Sequence, residues 1–75
     1  MSQPQYVAIV APSLEDAAAL ARERRVEHWF YVTGPGSIHG RDPGLMLLRT
    51  VIGRPLTTEQ ALAYEAALRA GWRLA

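Results

Sequence analysis

The chain has 75 residues, of which 49% are hydrophobic, carries a net charge of +1 and contains no cysteine. This length supports one thin hydrophobic core, and the missing thiols exclude disulfides, cysteine-ligated zinc and cysteine nucleophiles. The near-neutral charge excludes a general attraction to nucleic acid or to anionic membranes. We therefore expect a single marginally stable domain over residues 1–75, which pairing with a second copy would stabilise.

No apolar stretch reaches the roughly 20 residues that span a bilayer, and the N-terminal segment lacks the pattern of a signal peptide. We therefore expect a cytoplasmic protein without a membrane partner. All eight basic residues are arginine, and lysine and asparagine are absent. This bias indicates a GC-rich coding sequence; the alternative is selection of arginine for bidentate phosphate contacts.

The first half of the chain predicts a strand, a helix and a second strand. Residues 6–11 form a short run rich in β-branched residues, which is typical of a strand buried on both faces. Ser13, with Asp16 three residues later, predicts the start of a helix that continues to about Arg25. The face of this helix that we expect to be buried contains Leu14, Ala17, Ala18, Leu20 and Ala21. The bulky aromatic run 28–32 predicts the second strand.

The second half predicts a strand, a helix and a short final strand. The apolar run 45–52 lacks helix caps and predicts a third strand, although its first residues are also compatible with a helix. Thr57 and Gln60 form a capping box for a helix that ends at Gly71. The polar stripe of this helix is narrow, so we expect it to be covered on more than one side. Residues 72–74 suffice for a fourth strand.

This order of elements predicts an α/β fold with a small Rossmann-like parallel sheet. Right-handed crossovers and the unbroken apolar run of the first strand favour the strand order 2-1-3, with the fourth strand beside the third. Residues 33–44, which are rich in glycine and proline, then form a loop in place of a crossover helix.

The carboxyl ends of parallel strands are where such folds bind ligands. At this edge we expect Ser13 after the first strand, His39 and Arg41 in the loop after the second, and Arg54 after the third. These four residues are the candidates for holding an anionic ligand, although for the loop itself we favour the interpretation of a plain connector. The turn after the first strand lacks the glycines of a phosphate loop, and the acidic start of the helix repels phosphate. We therefore expect no nucleotide cofactor of the familiar kinds.

Other catalytic or metal-binding patterns are weak. His28 and His39 are the only histidines, and their spacing does not suit a metal site. His39, Ser37 and Asp42 are the residue types of a hydrolytic triad, but all three lie in one loop, whereas triad residues come from separate rigid elements. The arginines within residues 22–25 stabilise the dipole of a helix end, or alternatively form a nucleic-acid patch. We expect no metal, no cofactor and no catalytic residue, and favour a non-enzyme, with an enzymatic domain that uses the loop after the second strand as the alternative.

The aromatic residues suggest an interaction surface. Trp29 and Tyr31 lie on one face of the second strand, and Phe30 and Val32 lie on the other. An aromatic strand at a sheet edge invites pairing, and tryptophan and tyrosine are enriched in interfaces. Trp29, Tyr31 and Trp72 are therefore the interface candidates, with packing in the core as the alternative. The partner that we expect is a second copy of the chain, and a host protein is a further candidate.

The stretch Val7–Ala17, followed by Trp29–Thr33, resembles small uncharacterised proteins of actinobacterial phages. It is also similar to half of a RecA-like or Rossmann-like domain without its phosphate loop. The resemblance covers residues 6–33 and implies a phage accessory protein that binds a component of the host cytoplasm. The function expected is non-enzymatic protein binding as a homodimer. Binding of an anionic ligand or nucleotide through the loop at 33–44 is the alternative, and nucleic-acid binding is third.

Overall fold

The computed structural model describes residues 6–75 and confirms the predicted α/β class and element order. The strands are β1 (Val7–Val10), β2 (Trp29–Tyr31), β3 (Leu45–Leu48) and β4 (Arg73–Leu74), and the helices are α1 (Leu14–Glu23) and α2 (Thr58–Arg69). The connection between β2 and β3 contains a single 3₁₀ turn at Pro35–Ser37. None of the helices in this part of the chain is long and apolar enough to cross a membrane.

The four strands form one parallel sheet in the order β2-β1-β3-β4, as in a small Rossmann-like domain. Ala8 in β1 pairs with Phe30 in β2 and with Met46 in β3. The predicted central position of β1 is confirmed, and its apolar sequence fits it, because a central strand of a sheet with helices on both faces is buried on both sides. β2 and β4 are the two edges of the sheet.

Each helix covers one face of the sheet. The cluster beneath α2 contains Ala8, Val10, Val32, Ile38, Met46, Ala63, Ala67 and Trp72. The cluster beneath α1 contains Ile9, Ala11, Ala17, Leu20, Ala21 and Leu47. Both helices meet the sheet through alanines, so their backbones pack close to the strands. The predicted alternation in β2 is confirmed, since Phe30 lies on the α2 face and Trp29 and Tyr31 lie on the α1 face.

Both helices end in a Schellman motif, in which the residue after the C-cap adopts a left-handed conformation. In α2 this residue is Gly71, with φ 103°, and the N–H of Trp72 donates to the Ala67 carbonyl at 3.0 Å. In α1 it is Arg25, with φ 55°, and the N–H of Val26 bonds back into the helix in the same way. Glycine favours this conformation and arginine does not, so α1 ends with a strained residue.

Of two expectations about helix burial, one is wrong and the other is confirmed in part. Leu14, which we expected in the core, is 57% exposed, and the buried residues of α1 are Ala17, Leu20 and Ala21. The expected cover on more than one side of α2 is found in part, since both the sheet and the 3₁₀ turn at Pro35–Ser37 contact this helix. Leu62 and Leu68 nevertheless remain 49% and 42% exposed, because the buried residues of α2 are Gln60, Ala63 and Ala67.

The third strand is shorter than the apolar run 45–52 predicts. β3 ends at Leu48, and the chain then turns tightly, with the N–H of Arg54 donating to the Val51 carbonyl at 3.1 Å. Gly53 adopts φ 83° in this turn, which allows the reversal. Ile52 lies at the tip and is fully exposed, so the apolar character of residues 49–52 reflects a turn and not a strand.

Candidate functional site

The carboxyl ends of β1 and β2 are covered by a side chain of the protein itself. Gln60, in the first turn of α2, is 2% exposed. Its Nε2 donates to the carbonyls of Ala11 at 2.6 Å and Val32 at 3.0 Å, and lies 3.1 Å from Tyr31 Oη. The Tyr31 hydroxyl also donates to the Ala11 carbonyl at 3.2 Å. Gln60 Oε1 accepts from the N–H of Thr57, the reciprocal bond of the capping box. The amide therefore fills part of the edge where this fold usually binds ligands.

Two of the predicted anion-binding residues also lie at this edge, but both contact a carboxylate. Ser13 Oγ donates to Asp16 Oδ2 at 2.8 Å, and Arg54 Nη2 donates to Asp16 Oδ1 at 3.1 Å. Asp16 lies in the first turn of α1, where its negative charge stabilises the helix dipole. The charge of Arg54 is thus offset by an acid, and an anionic ligand would have to compete with that acid.

His39 and Arg41 lie on the other face of the sheet. The Arg41 guanidinium carbon is 3.8 Å from the centroid of the Phe30 ring, and its Nε donates to the Ser37 carbonyl at 2.9 Å. Phe30 belongs to the cluster beneath α2, whereas Arg54 contacts α1. The four candidate anion ligands therefore form two groups, Ser13 with Arg54 and His39 with Arg41, and not one site.

A groove runs between residues 35–41 and the C-terminal half of α2. Its volume is about 250 Å³, and its lining includes His39, Arg41 and Trp72. Trp72 is only 5% exposed and packs edge-on against Phe30, with ring centroids 6.2 Å apart. Of the three interface candidates, Trp72 therefore packs in the core and forms part of the groove wall, while Trp29 and Tyr31 are half-buried against α1.

The outer edge of β2 presents backbone groups that have no partner among residues 6–75. The N–H of Val32 donates to the Ile9 carbonyl of β1 at 2.9 Å. Backbone groups alternate in direction along a strand, so Phe30 and Val32 direct theirs towards β1, while Trp29 and Tyr31 direct theirs away. No strand within residues 6–75 pairs with this outer edge. It therefore offers two N–H donors and two carbonyl acceptors between aromatic side chains.

No family model matches the chain, and neither the curated proteins nor the solved structures that were compared with it contain a match. Within residues 6–75, no group of three or more histidine, aspartate or glutamate side chains could hold a metal ion.

The sequence identified Gln60 only as part of a capping box. Its second role depends on the position of α2 over the ends of β1 and β2, which no local pattern encodes.

Proposed function

We propose that this chain is a non-enzymatic protein-binding module that forms a homodimer through the outer edge of β2. The observation that supports this proposal is the open backbone of Trp29 and Tyr31. The occupation of the carboxyl edge by Gln60 and by the Asp16–Arg54 pair favours a binding function over a nucleotide-dependent reaction. Exposed edge strands pair readily with other chains unless charge, proline or a bulge blocks them, and Trp29–Tyr31 contains none of these.

The two copies would pair antiparallel about a twofold axis at Phe30. In this register, Trp29 of one copy and Tyr31 of the other exchange two backbone hydrogen bonds. The symmetry-related pair, Tyr31 of the first copy with Trp29 of the second, exchanges two more, which gives four in total. The Trp29 and Tyr31 side chains become cross-strand neighbours on the α1 face, where aromatic pairs add roughly 0.5–1.5 kcal/mol each. The two sheets would then form one continuous sheet.

The opposite edge is less suited to pairing. β4 has two residues, and one of them, Arg73, carries a charge of the kind that blocks edge association. An extended segment of a host protein could add to β2 by the same backbone bonds, which would agree with the phage resemblance of the sequence. We favour the homodimer over a host segment, because the donors and acceptors of Trp29 and Tyr31 on one copy match those of Tyr31 and Trp29 on another.

Light scattering after size-exclusion chromatography tests the dimer. We expect the parent protein to show twice the 8.3 kDa mass of one chain at micromolar concentration. Trp29→Lys should be monomeric, because the lysine stem packs along α1 while its charged head blocks the edge. Two controls should remain dimeric: Trp29→Phe, which keeps an aromatic ring at the same position, and Leu74→Lys, which adds the same charge at the opposite edge. Circular dichroism verifies that each variant is folded.

A monomeric parent protein, or a Trp29→Lys variant that is folded and still dimeric, would overturn the proposal. Cysteine cross-linking tests the register independently, because the chain has no cysteine of its own. Hydrogen-bonded antiparallel neighbours have Cα atoms about 5.5 Å apart, within the range of a disulfide. A mixture of Trp29→Cys and Tyr31→Cys should therefore cross-link on oxidation, and each variant alone should not. Cross-linking of either variant alone would contradict the register.

A further inference from the structure

The groove beside α2 contains a guanidinium group whose position is fixed but whose terminal amino groups are free. Arg41 stacks on Phe30 at 3.8 Å and donates from Nε to the Ser37 carbonyl. The ion pairs among residues 6–75 involve Arg49, Arg54 and Arg69, and not Arg41. Both Nη groups of Arg41 therefore retain their donors. A guanidinium that is already oriented loses less conformational entropy when it binds an acid.

The side chain of Trp72 lines the same groove. Trp72 is 5% exposed, and its indole N–H has no hydrogen-bond acceptor among the described residues. No completely enclosed side-chain nitrogen or oxygen in this part of the chain lacks a partner. The indole nitrogen is therefore not fully enclosed and keeps access to solvent, so a ligand acceptor would take the place of water at this donor. Phe30 contacts both Trp72 and Arg41, so these three side chains form one cluster.

The rest of the lining is apolar or neutral and contains no carboxylate. Pro35, Ile38, Ala66 and Ala70 provide apolar walls, and His39 lies at the exposed rim. Arg41 is the one permanent positive charge in the lining. The C-terminal end of α2, which carries partial negative charge, lies at Ala70 and disfavours multiply charged anions.

From these features we propose that the groove binds a small monocarboxylate with an apolar body. The planar guanidinium matches the two oxygens of a carboxylate, and the apolar walls match a hydrocarbon or aromatic group. The volume of about 250 Å³ lies just below the usual range for drug-sized ligands, so the ligand is small. This site involves neither the backbone edge of β2 nor the Asp16–Arg54 pair, and it does not depend on the homodimer.

Two-dimensional NMR of the ¹⁵N-labelled protein with 3-phenylpropionate as the probe tests the site. The chain has two tryptophans and therefore two indole N–H signals. Because Trp29 lies on the α1 face, its signal is an internal control for Trp72. We expect a saturable shift of the Trp72 signal with a dissociation constant of roughly 1 mM or lower, as is usual for ligands of about ten heavy atoms. The Trp29 signal should shift little.

Variants and related probes identify the contacts. Arg41→Gln removes the charge and should weaken binding at least about tenfold, while Arg41→Lys should weaken it less, because a charge-assisted bond is retained. Arg54→Gln is the matched control and should bind as the parent does. The uncharged 3-phenylpropanamide and inorganic phosphate should both bind more weakly than the carboxylate.

The proposal would be overturned if the Trp72 signal showed no saturable shift, if the amide bound as tightly as the carboxylate, or if phosphate bound more tightly than the carboxylate. It would also be overturned if Arg54→Gln lost binding while Arg41→Gln retained it. Because Arg41 is exposed, its variants should keep the parent fold, and the dispersion of the same spectra verifies this.

Discussion

Replacement of Gln60 by leucine should destabilise the protein strongly, although the two side chains have similar volume. In the parent protein, the Gln60 amide satisfies the carbonyls of Ala11 and Val32 in a site that is 2% exposed. Leucine offers no donor. The Ala11 carbonyl keeps the hydroxyl of Tyr31, but the Val32 carbonyl loses its side-chain donor. The N–H of Thr57 also loses the acceptor that closes the capping box.

The magnitude follows from these two losses. A buried carbonyl without a partner costs about 1–3 kcal/mol, and the lost capping bond costs roughly a further 1 kcal/mol. We therefore expect Gln60→Leu to lower the free energy of unfolding by about 2–4 kcal/mol, a large part of the total for a domain of this size. With a urea slope of roughly 1 kcal/mol/M, the midpoint should fall by about 2–4 M.

Urea titration followed by tryptophan fluorescence measures this effect. Thr57→Ala is the matched control, because it removes the cap and leaves the Gln60 amide in place; it should cost only about 1 kcal/mol. If Gln60→Leu costs no more than Thr57→Ala, the reasoning is refuted. That result would mean that water already satisfies the Val32 carbonyl and that the carboxyl edge is open to solvent.

Two further predictions concern the ends and the packing of the helices. Arg25 and Gly71 both have positive φ, which glycine adopts without strain. In the same titration, Arg25→Gly should stabilise the protein by up to about 1 kcal/mol, and Gly71→Ala should destabilise it by about 1 kcal/mol. A destabilised Arg25→Gly variant would contradict this account. Ala67→Leu should cost about 1–3 kcal/mol, because Ala67 is fully buried between α2 and the sheet. Ala66→Leu, at an exposed neighbouring position, is its control and should cost less; equal losses would show that helix–sheet packing is not responsible.

Most of the fold could be predicted from the sequence because its signals are local. The run of β-branched residues in β1, the Thr57–Gln60 capping box and Gly71 each depend on a few neighbouring residues, and the structure confirms all of them. The strand order follows because right-handed crossovers and one very apolar strand leave few arrangements. The end of β3 was predicted too late, since an apolar residue at a turn, such as Ile52, resembles a strand residue in sequence.

The candidate sites were predictable only in part, because they depend on distances between remote residues. The sequence identified Arg41 and Arg54 as candidate anion ligands, but not that the sheet separates them or that Asp16 engages one of them. It also left open whether Trp72 lies in an interface or in the core, and the structure places this residue in the core after the Schellman motif at the end of α2. Local patterns specify a turn, and tertiary packing decides which side chain occupies the space beside it.

The central position of β1 also has a consequence for the kinetics of folding. Ala8 in β1 pairs with both Phe30 and Met46, and Leu45 in β3 pairs with Arg73. None of these strand pairs is joined by a short hairpin. Such non-local pairing slows the search, and we expect the chain to fold more slowly than a helical bundle of equal length. Until β3 docks, one edge of the apolar strand Val7–Val10 stays unpaired, and during that interval the chain is most prone to aggregate.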